Sequence, residues 1–332
     1  MQLRLLDFLV CPECRGALRL AASTHDADGD IAAGSLACDV CRQSYEISQG
    51  IPRFVETHPA DASFGFQWNR FREEQLDSFN GARLSSERIY AETGWTRESL
   101  AGKRVMELGC GAGRFLEVLA ACECELVGVD VSRAVDAAAA TVKGRRNVHI
   151  VQADAYKLPF RAGVFDACYC IGVAQHTPDP LKTLGALAPL LRSGGRVAVT
   201  VYERKPWTRL NGKYVLRPLT RRMNKRALLS LITGLMPVMF PITEILFRLP
   251  VLGRVFGFVI PVANYVEMRE LSWRQRYRIA LLDTFDRLAP EFDAPLTEKE
   301  VSQVLSAGGI GELRRLPNPG VNIVGSNART TL

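Results

Sequence analysis

No acidic residue occurs between Arg204 and Thr243, although Asp and Glu supply 35 of the chain's 332 residues. The first part of this stretch is instead basic: Arg204, Lys205, Arg209, Lys213, Arg217, Arg221, Arg222, Lys225 and Arg226 account for the net charge of +7. The second part, Ala227 to Thr243, carries no charge at all. Pro237 and Pro241 interrupt it, and Glu244 and Arg248 follow, so a simple spanning helix is not expected. Three readings of the whole stretch stay open: a surface for anionic membranes, a helical cap over a pocket with its arginines merely solvated, and a nucleic-acid contact. Basic residues interleaved with aromatics, the pattern that stacks bases, are missing, which counts against the third. Also missing is a secretory leader, because Met1 to Val10 is too short an apolar run and Asp7 breaks it. A cytoplasmic protein is expected, with membrane-peripheral contact as the finer reading. Hydrophobic content of 47% with 23% charge excludes disorder over most of the chain.

A glycine is missing at an informative place. Val105 to Leu108 reads as an apolar strand running into Gly109-Cys110-Gly111-Ala112-Gly113, and a helix begins at Arg114. Glycines here permit a tight turn and close backbone approach to a ligand, with helix N–H groups pointing at it. The dinucleotide fingerprint wants a further glycine where Arg114 stands. Glu107, just before the turn, would repel a pyrophosphate and suits an ammonium or another cation. Two more strands end in acids: Leu126 to Asp130, where a ribose diol would be gripped, and Val148 to Gln152, followed by Asp154, suited to an adenine amine.

On these residues the chain resembles class I methyltransferases dependent on S-adenosylmethionine, most closely over Lys103 to Tyr202. Phe165 to Gly172 is similar to that family's fourth strand, and Leu190 to Val199 to its turn into the fifth. The resemblance implies an α/β fold with a Rossmann-like doubly wound sheet whose last strand is antiparallel. It also implies that Glu107, Gly109, Gly111 and Gly113 hold the methionine part, Asp130 the ribose and Asp154 the adenine. Val131, Ala155 and Ile171 are expected to join them as cofactor contacts.

Cys11-Pro-Glu-Cys14 and Cys38-Asp-Val-Cys41 are two knuckles a hairpin apart, each followed by an arginine, and together they supply the four thiolates of a structural zinc site. Disulfides are the competing reading, disfavoured in a reducing compartment. The surrounding residues resemble the small zinc ribbon that occurs as a methyltransferase activator and fused to bacterial methyltransferases. A closed four-thiolate site leaves no open coordination position, so the metal is expected to hold the fold. The other five cysteines are expected to be small buried hydrophobes.

The chain therefore divides into a zinc ribbon at 1–57, an aromatic linker with N-terminal helices at 58–102, and a methyltransferase domain at 103–332 with a helical insertion at about 207–290. Strands are expected near 104–108, 125–129, 148–152, 165–170 and 196–202, with helices near 114–121, 132–142 and 180–191. A capping box at Thr297 and Glu300 opens a helix to Ala307, and Ile310 to Leu316 and Val321 to Gly325 form the final antiparallel pair. Phe64, Phe66, Trp68 and Phe71 either dock the linker or form a lid over the cofactor.

Methyl transfer to a hydroxyl requires loss of its proton, and His176 lies after the fourth strand, where the family faces both cofactor and acceptor; it is the candidate base. The bland alternative is that it caps the next helix or bonds the cofactor. Tyr202, Glu203 and Tyr265 are weaker candidates, and Asp283 and Asp286 are read as structural. The expected activity is methylation of a small or lipophilic metabolite at oxygen. An RNA methyltransferase and a non-catalytic partner-binding module are the alternatives.

Overall fold

A computed structural model describes residues 1–55 and 62–328, so the start of the expected linker, 58–61, lies outside the described residues. Eleven strands form one sheet: β1 (Leu18–His25), β2 (Ile31–Cys38), β3 (Ser44–Ser48), β4 (Ile51–Arg53), β5 (Arg104–Leu108), β6 (Glu125–Asp130), β7 (Val148–Gln152), β8 (Phe165–Ile171), β9 (Leu191–Val201), β10 (Ile310–Arg315) and β11 (Val321–Asn327). Their spatial order is β1-β2-β3-β4-β7-β6-β5-β8-β9-β11-β10. Strands β7, β6, β5, β8 and β9 are parallel, whereas β11 runs antiparallel to β9 and to β10. Alternating apolar strands and helices produce this parallel centre, and its ligand crevice opens at the strand C-termini.

One boundary differs from expectation. The helix expected over 180–191 stops at Gly185, and β9 begins at Leu191. Pro189 has no N–H to bond the Gly185 carbonyl, so the helix cannot run on; a single 3-10 turn carries the chain into the strand. The helix Glu298–Ala307 opens on the capping box, with Thr297 and Glu300 each bonding the other's backbone.

The N-terminal strands extend the same sheet. β4 pairs parallel with β7 through Arg53 and Gln152, and the Phe54 N–H donates to the Gln152 carbonyl at 2.8 Å. The Arg53 guanidinium donates to the Gln152 side chain and to Asp136, both at 2.7 Å. Farther along, the Val10 N–H donates to the Pro159 carbonyl and the Arg161 N–H to that of Phe8, each at 2.9 Å. Leu5, Phe8, Leu9, Ile31 and Leu36 share one buried core with Met106, Val127 and Val151. Apolar burial of this extent is what fixes the N-terminal strands to the sheet edge.

Between β9 and β10 lie the helices Gly212–Thr220, Lys225–Leu246, Leu252–Val259 and Trp273–Leu288. They have a core of their own, in which Leu228, Ile232, Met236 and Phe240 meet Phe285 and Leu288. The apolar run expected to be broken by proline is a single helix that continues through Pro237 and Pro241. The prolines leave the carbonyls of Thr233 and Pro237 without helical donors. All three residues are exposed, so water can satisfy those carbonyls.

Candidate functional site

A cavity of about 1070 Å³ opens at the C-terminal ends of the parallel strands. Glu107, Gly109, Gly111, Asp130, Val131, Asp154, Ala155, Ile171 and His176 all line it. Gly113 does not; it stands behind the turn with φ near 81°, and starts the helix Arg114–Leu119. Gly109 also has φ near 81°, and a Cβ on it would lie 2.4 Å from Val173, so the turn admits no larger residue there.

The acids are held by the fold. Glu107 is buried and accepts a hydrogen bond from the Tyr169 hydroxyl at 2.9 Å. Burial pushes its pKa well above the usual carboxylate range, against the pull of Tyr169 and Arg114. Asp130 accepts from the Gly111 N–H at 3.0 Å and from the Ser132 N–H and hydroxyl at 2.9 and 2.8 Å. Its pKa is raised by burial, partly offset by those donors. The Asp154 carboxylate accepts from the Tyr156 N–H at 2.9 Å. Tyr169 escaped the sequence reading as a site residue; β8 is buried along almost its whole length, so no alternation marked the side chain that reaches Glu107 from the neighbouring strand.

The aromatic linker both docks and covers. Phe71 is buried and Phe66 packs 6.1 Å from the Phe285 ring, while Phe64 and Trp68 line the cavity. The Trp68 indole lies over the glycine turn, about 3.2 Å from where a Gly111 Cβ would be. Gln67 donates to Asp286 at 3.0 Å, tying this segment to the insertion.

His176 sits between the Phe64 and Tyr202 rings, at 5.5 and 5.4 Å. Its Nδ1 lies 3.1 Å from the Phe292 carbonyl, which can only accept. Nδ1 therefore carries the proton, and a neutral ring keeps a lone pair on Nε2. The far wall comes from the insertion. Lys213 pairs with Asp293 at 2.8 Å and lies over the Tyr202 ring, and the Tyr214 hydroxyl donates to Asp293 at 2.9 Å. Tyr265 donates to Asp283, which also accepts from Gln75 at 3.2 Å. Burial raises the pKa of Asp283 and of Tyr265. Asp283 and Asp286, read from sequence as structural, both line the cavity. Glu203 reaches its edge, but Arg315 and Lys205 engage its carboxylate at 3.0 and 3.2 Å.

The family model for a methyltransferase domain matches residues 106–199, and that for a Trm112p-like protein matches residues 2–50. The chain joins a methyltransferase domain to a Trm112p-like domain. A ubiquinone biosynthesis O-methyltransferase of Aromatoleum aromaticum is 34% identical over 130 residues, covering 37% of this chain and 55% of that protein. The protein of the same name from Marinobacter nauticus is 32% identical over 135 residues, covering 38% and 56%. The chain thus spans little more than half the length of these relatives. A solved complex of the Haloferax volcanii Trm112 methyltransferase activator with its methyltransferase is 13% identical, covers 80% of this chain and 98% of that one, and superposes with a TM-score of 0.45.

In the Trm112p-like domain the sulfur atoms of Cys11, Cys14, Cys38 and Cys41 lie within 4.8 Å of one another. Two of the separations, Cys14 to Cys38 and Cys11 to Cys41, are 3.4 and 3.6 Å. Tetrahedral zinc with Zn–S bonds of about 2.3 Å needs sulfurs roughly 3.8 Å apart, so the cluster fits a structural zinc. The arginine after each knuckle has left-handed backbone, with φ near 64° at Arg15 and 65° at Arg42, which folds the loops so that both cysteines of a pair face inward. Arg15 also donates to the Leu158 carbonyl at 2.8 Å, linking the first knuckle to the methyltransferase domain.

Proposed function

We propose that this protein transfers a methyl group from S-adenosylmethionine to an oxygen of a small lipophilic acceptor, as a cytoplasmic enzyme with peripheral membrane contact. The observation that carries the reading is that one cavity gathers the strand-end acids, the glycine turn, His176 and the aromatic wall of the insertion. The names of the O-methyltransferase relatives point to the same chemistry.

S-adenosylmethionine, when bound, supplies an electrophilic methyl on a sulfonium and an ammonium group for an acid to hold. In this reading Glu107 and the backbone of the turn receive the methionine end, Asp130 the ribose hydroxyls and Asp154 the adenine amine. Val131, Ala155 and Ile171 enclose the rings, and Gly113 shapes the helix start behind them. Methyl transfer asks the protein mainly for alignment and exclusion of water, which Trp68 and Phe64 supply from above. His176 takes the acceptor hydroxyl proton at Nε2, its ring held by the Phe292 carbonyl. An apolar acceptor body fits the Tyr202, Tyr214 and Phe258 side of the cavity, while Arg287 and Asp283 meet its polar edge.

The test is label transfer from tritiated S-adenosylmethionine to alkyl-tailed catechols, read in the organic phase. His176→Gln should lower the turnover rate by about 10²–10⁴-fold, the range for loss of a general base, with little change in cofactor affinity. Label in RNA and none in the catechols would overturn the reading in favour of an RNA methyltransferase. Cofactor binding with no transfer to either would favour a non-catalytic module.

A further inference from the structure

The helix Lys225–Leu246 is apolar on two faces, one buried and one exposed. Leu228, Ile232, Met236 and Phe240 are buried against the protein. Leu231, Leu235, Val238, Ile242 and Ile245 follow one another at helical spacing on the other side, and each is between 42% and 68% exposed. A helix at an ordinary water-facing surface carries polar residues there. The helices before and after it in the chain also expose apolar residues, Val215, Leu216 and Leu219 on one and Leu252, Val255 and Val259 on the other. Scattered exposed apolar residues are ordinary, but five at helical spacing on one helix mark an interaction surface.

Charge at its margin identifies the partner. Arg209, Arg221, Arg222, Arg226 and Arg254 are exposed and form no ion pair among the described residues. Arg217 and Lys225, which the sequence grouped with them, are used inside the protein: Arg217 is buried and donates to the Pro290 carbonyl at 2.9 Å, and Lys225 donates to that of Ala289 at 2.5 Å. Unpaired arginines around an aliphatic face complement anionic headgroups around acyl chains. The helix is long and apolar enough to cross a membrane, yet its inner face is committed to the protein, with the Phe240 ring 5.1 Å from Trp273 and 5.3 Å from Tyr277. A helix held this way along one face is not free to cross a bilayer by itself.

The face also adjoins the cavity. Gly257 and Phe258, on the helix that exposes Val255 and Val259, line the cavity, and so does Trp207, which is 55% exposed. We propose that the outer face of the insertion docks on an anionic lipid bilayer and sets the acceptor side of the cavity against it, so that a membrane-dissolved acceptor enters without crossing water. This rests on the reading of the cavity as a methyl-transfer site for a lipophilic acceptor.

Vesicle co-sedimentation of the full chain tests the docking apart from the chemistry. Phosphatidylglycerol-containing vesicles should bind at least tenfold more protein than phosphatidylcholine vesicles, and the excess should fall with added salt. Leu235→Glu with Val238→Glu should cut binding at least tenfold, as should glutamine at Arg221, Arg222 and Arg226, with melting temperature and S-adenosylmethionine affinity unchanged in both. Wild-type protein that stays in the supernatant with anionic vesicles overturns the proposal. So does a dimer in solution that these two glutamates split, since a second copy would then cover the face. Binding to vesicles by a protein that methylates no lipophilic acceptor leaves the docking standing and removes the reading of the cavity.

Discussion

The Trm112p-like domain and the helical insertion are both additions to the same parallel sheet, and they treat apolar surface in opposite ways. The first turns it inward: Leu5, Phe8, Leu9, Ile31 and Leu36 merge with the core under β5, β6 and β7, and its exposed large hydrophobics are Leu3 and Val40. The second divides it, burying Ile232 and Phe240 while exposing Leu235 and Val238 on the same helix. One addition is thus a structural part of the fold, and the other keeps a face for something outside it. Position agrees with this division. The four clustered cysteines contribute nothing to the cavity lining, whereas the insertion forms the cavity's far wall.

Removing a metal ligand should have the largest effect. Cys38→Ser should release the zinc and lower stability by about 3–5 kcal/mol, roughly 4–7 °C in melting temperature, in one cooperative transition because the core is shared. Elemental analysis and calorimetry check it; two separate transitions, with the methyltransferase domain unmoved, would break the comparison. Within the insertion the contrast lies on one helix. Ile232→Ala should cost about 2–4 kcal/mol as a buried truncation, and Leu235→Ala less than about 0.5 kcal/mol. Denaturant unfolding measures both, and equal losses would mean that the outer face is packed in solution.

The smallest effect concerns pH. Burial raises the Glu107 pKa in the folded state, so its protonated form favours folding. Stability from this group is present at acid pH, below the ordinary carboxylate pKa, and is lost as pH rises through the raised value. Glu107→Gln should flatten that dependence in the cofactor-free protein. Cofactor affinity in the wild type should run the other way, rising as the carboxylate ionises. A melting curve against pH that is the same for both proteins would contradict the upward shift that burial gives this acid.

Much of the strand-end side of the candidate site was legible in sequence because it is local. Strand, glycine turn and terminal acid follow in order at Glu107, and the same strand-to-acid pattern brings Asp130 and Asp154 to the same edge of a parallel sheet. The knuckles were legible for the same reason. What sequence did not carry was long-range. Tyr169 reaches Glu107 only because β8 lies beside β5, and Asp283 enters the cavity only because the helix Trp273–Leu288 folds back over it. The pairing of β4 with β7, which makes one sheet of two domains, brings Arg53 and Phe54 to Gln152 and Asp136 from far along the chain, which no local pattern announces. Composition likewise could not separate a pocket cap from a membrane face, since the insertion's two sides are both apolar.

Calorimetric titration of S-adenosylmethionine into wild type and Asp130→Ala tests the central claim most directly. Asp130 is a charged acceptor at the end of β6, and it also steadies the glycine turn through the Gly111 N–H. The account predicts one site per chain in the wild type, and affinity weaker by about 1.5–3 kcal/mol, or roughly 10–150-fold, in a variant whose sheet remains folded. No binding to the wild type, or equal affinity in the two proteins, would contradict it.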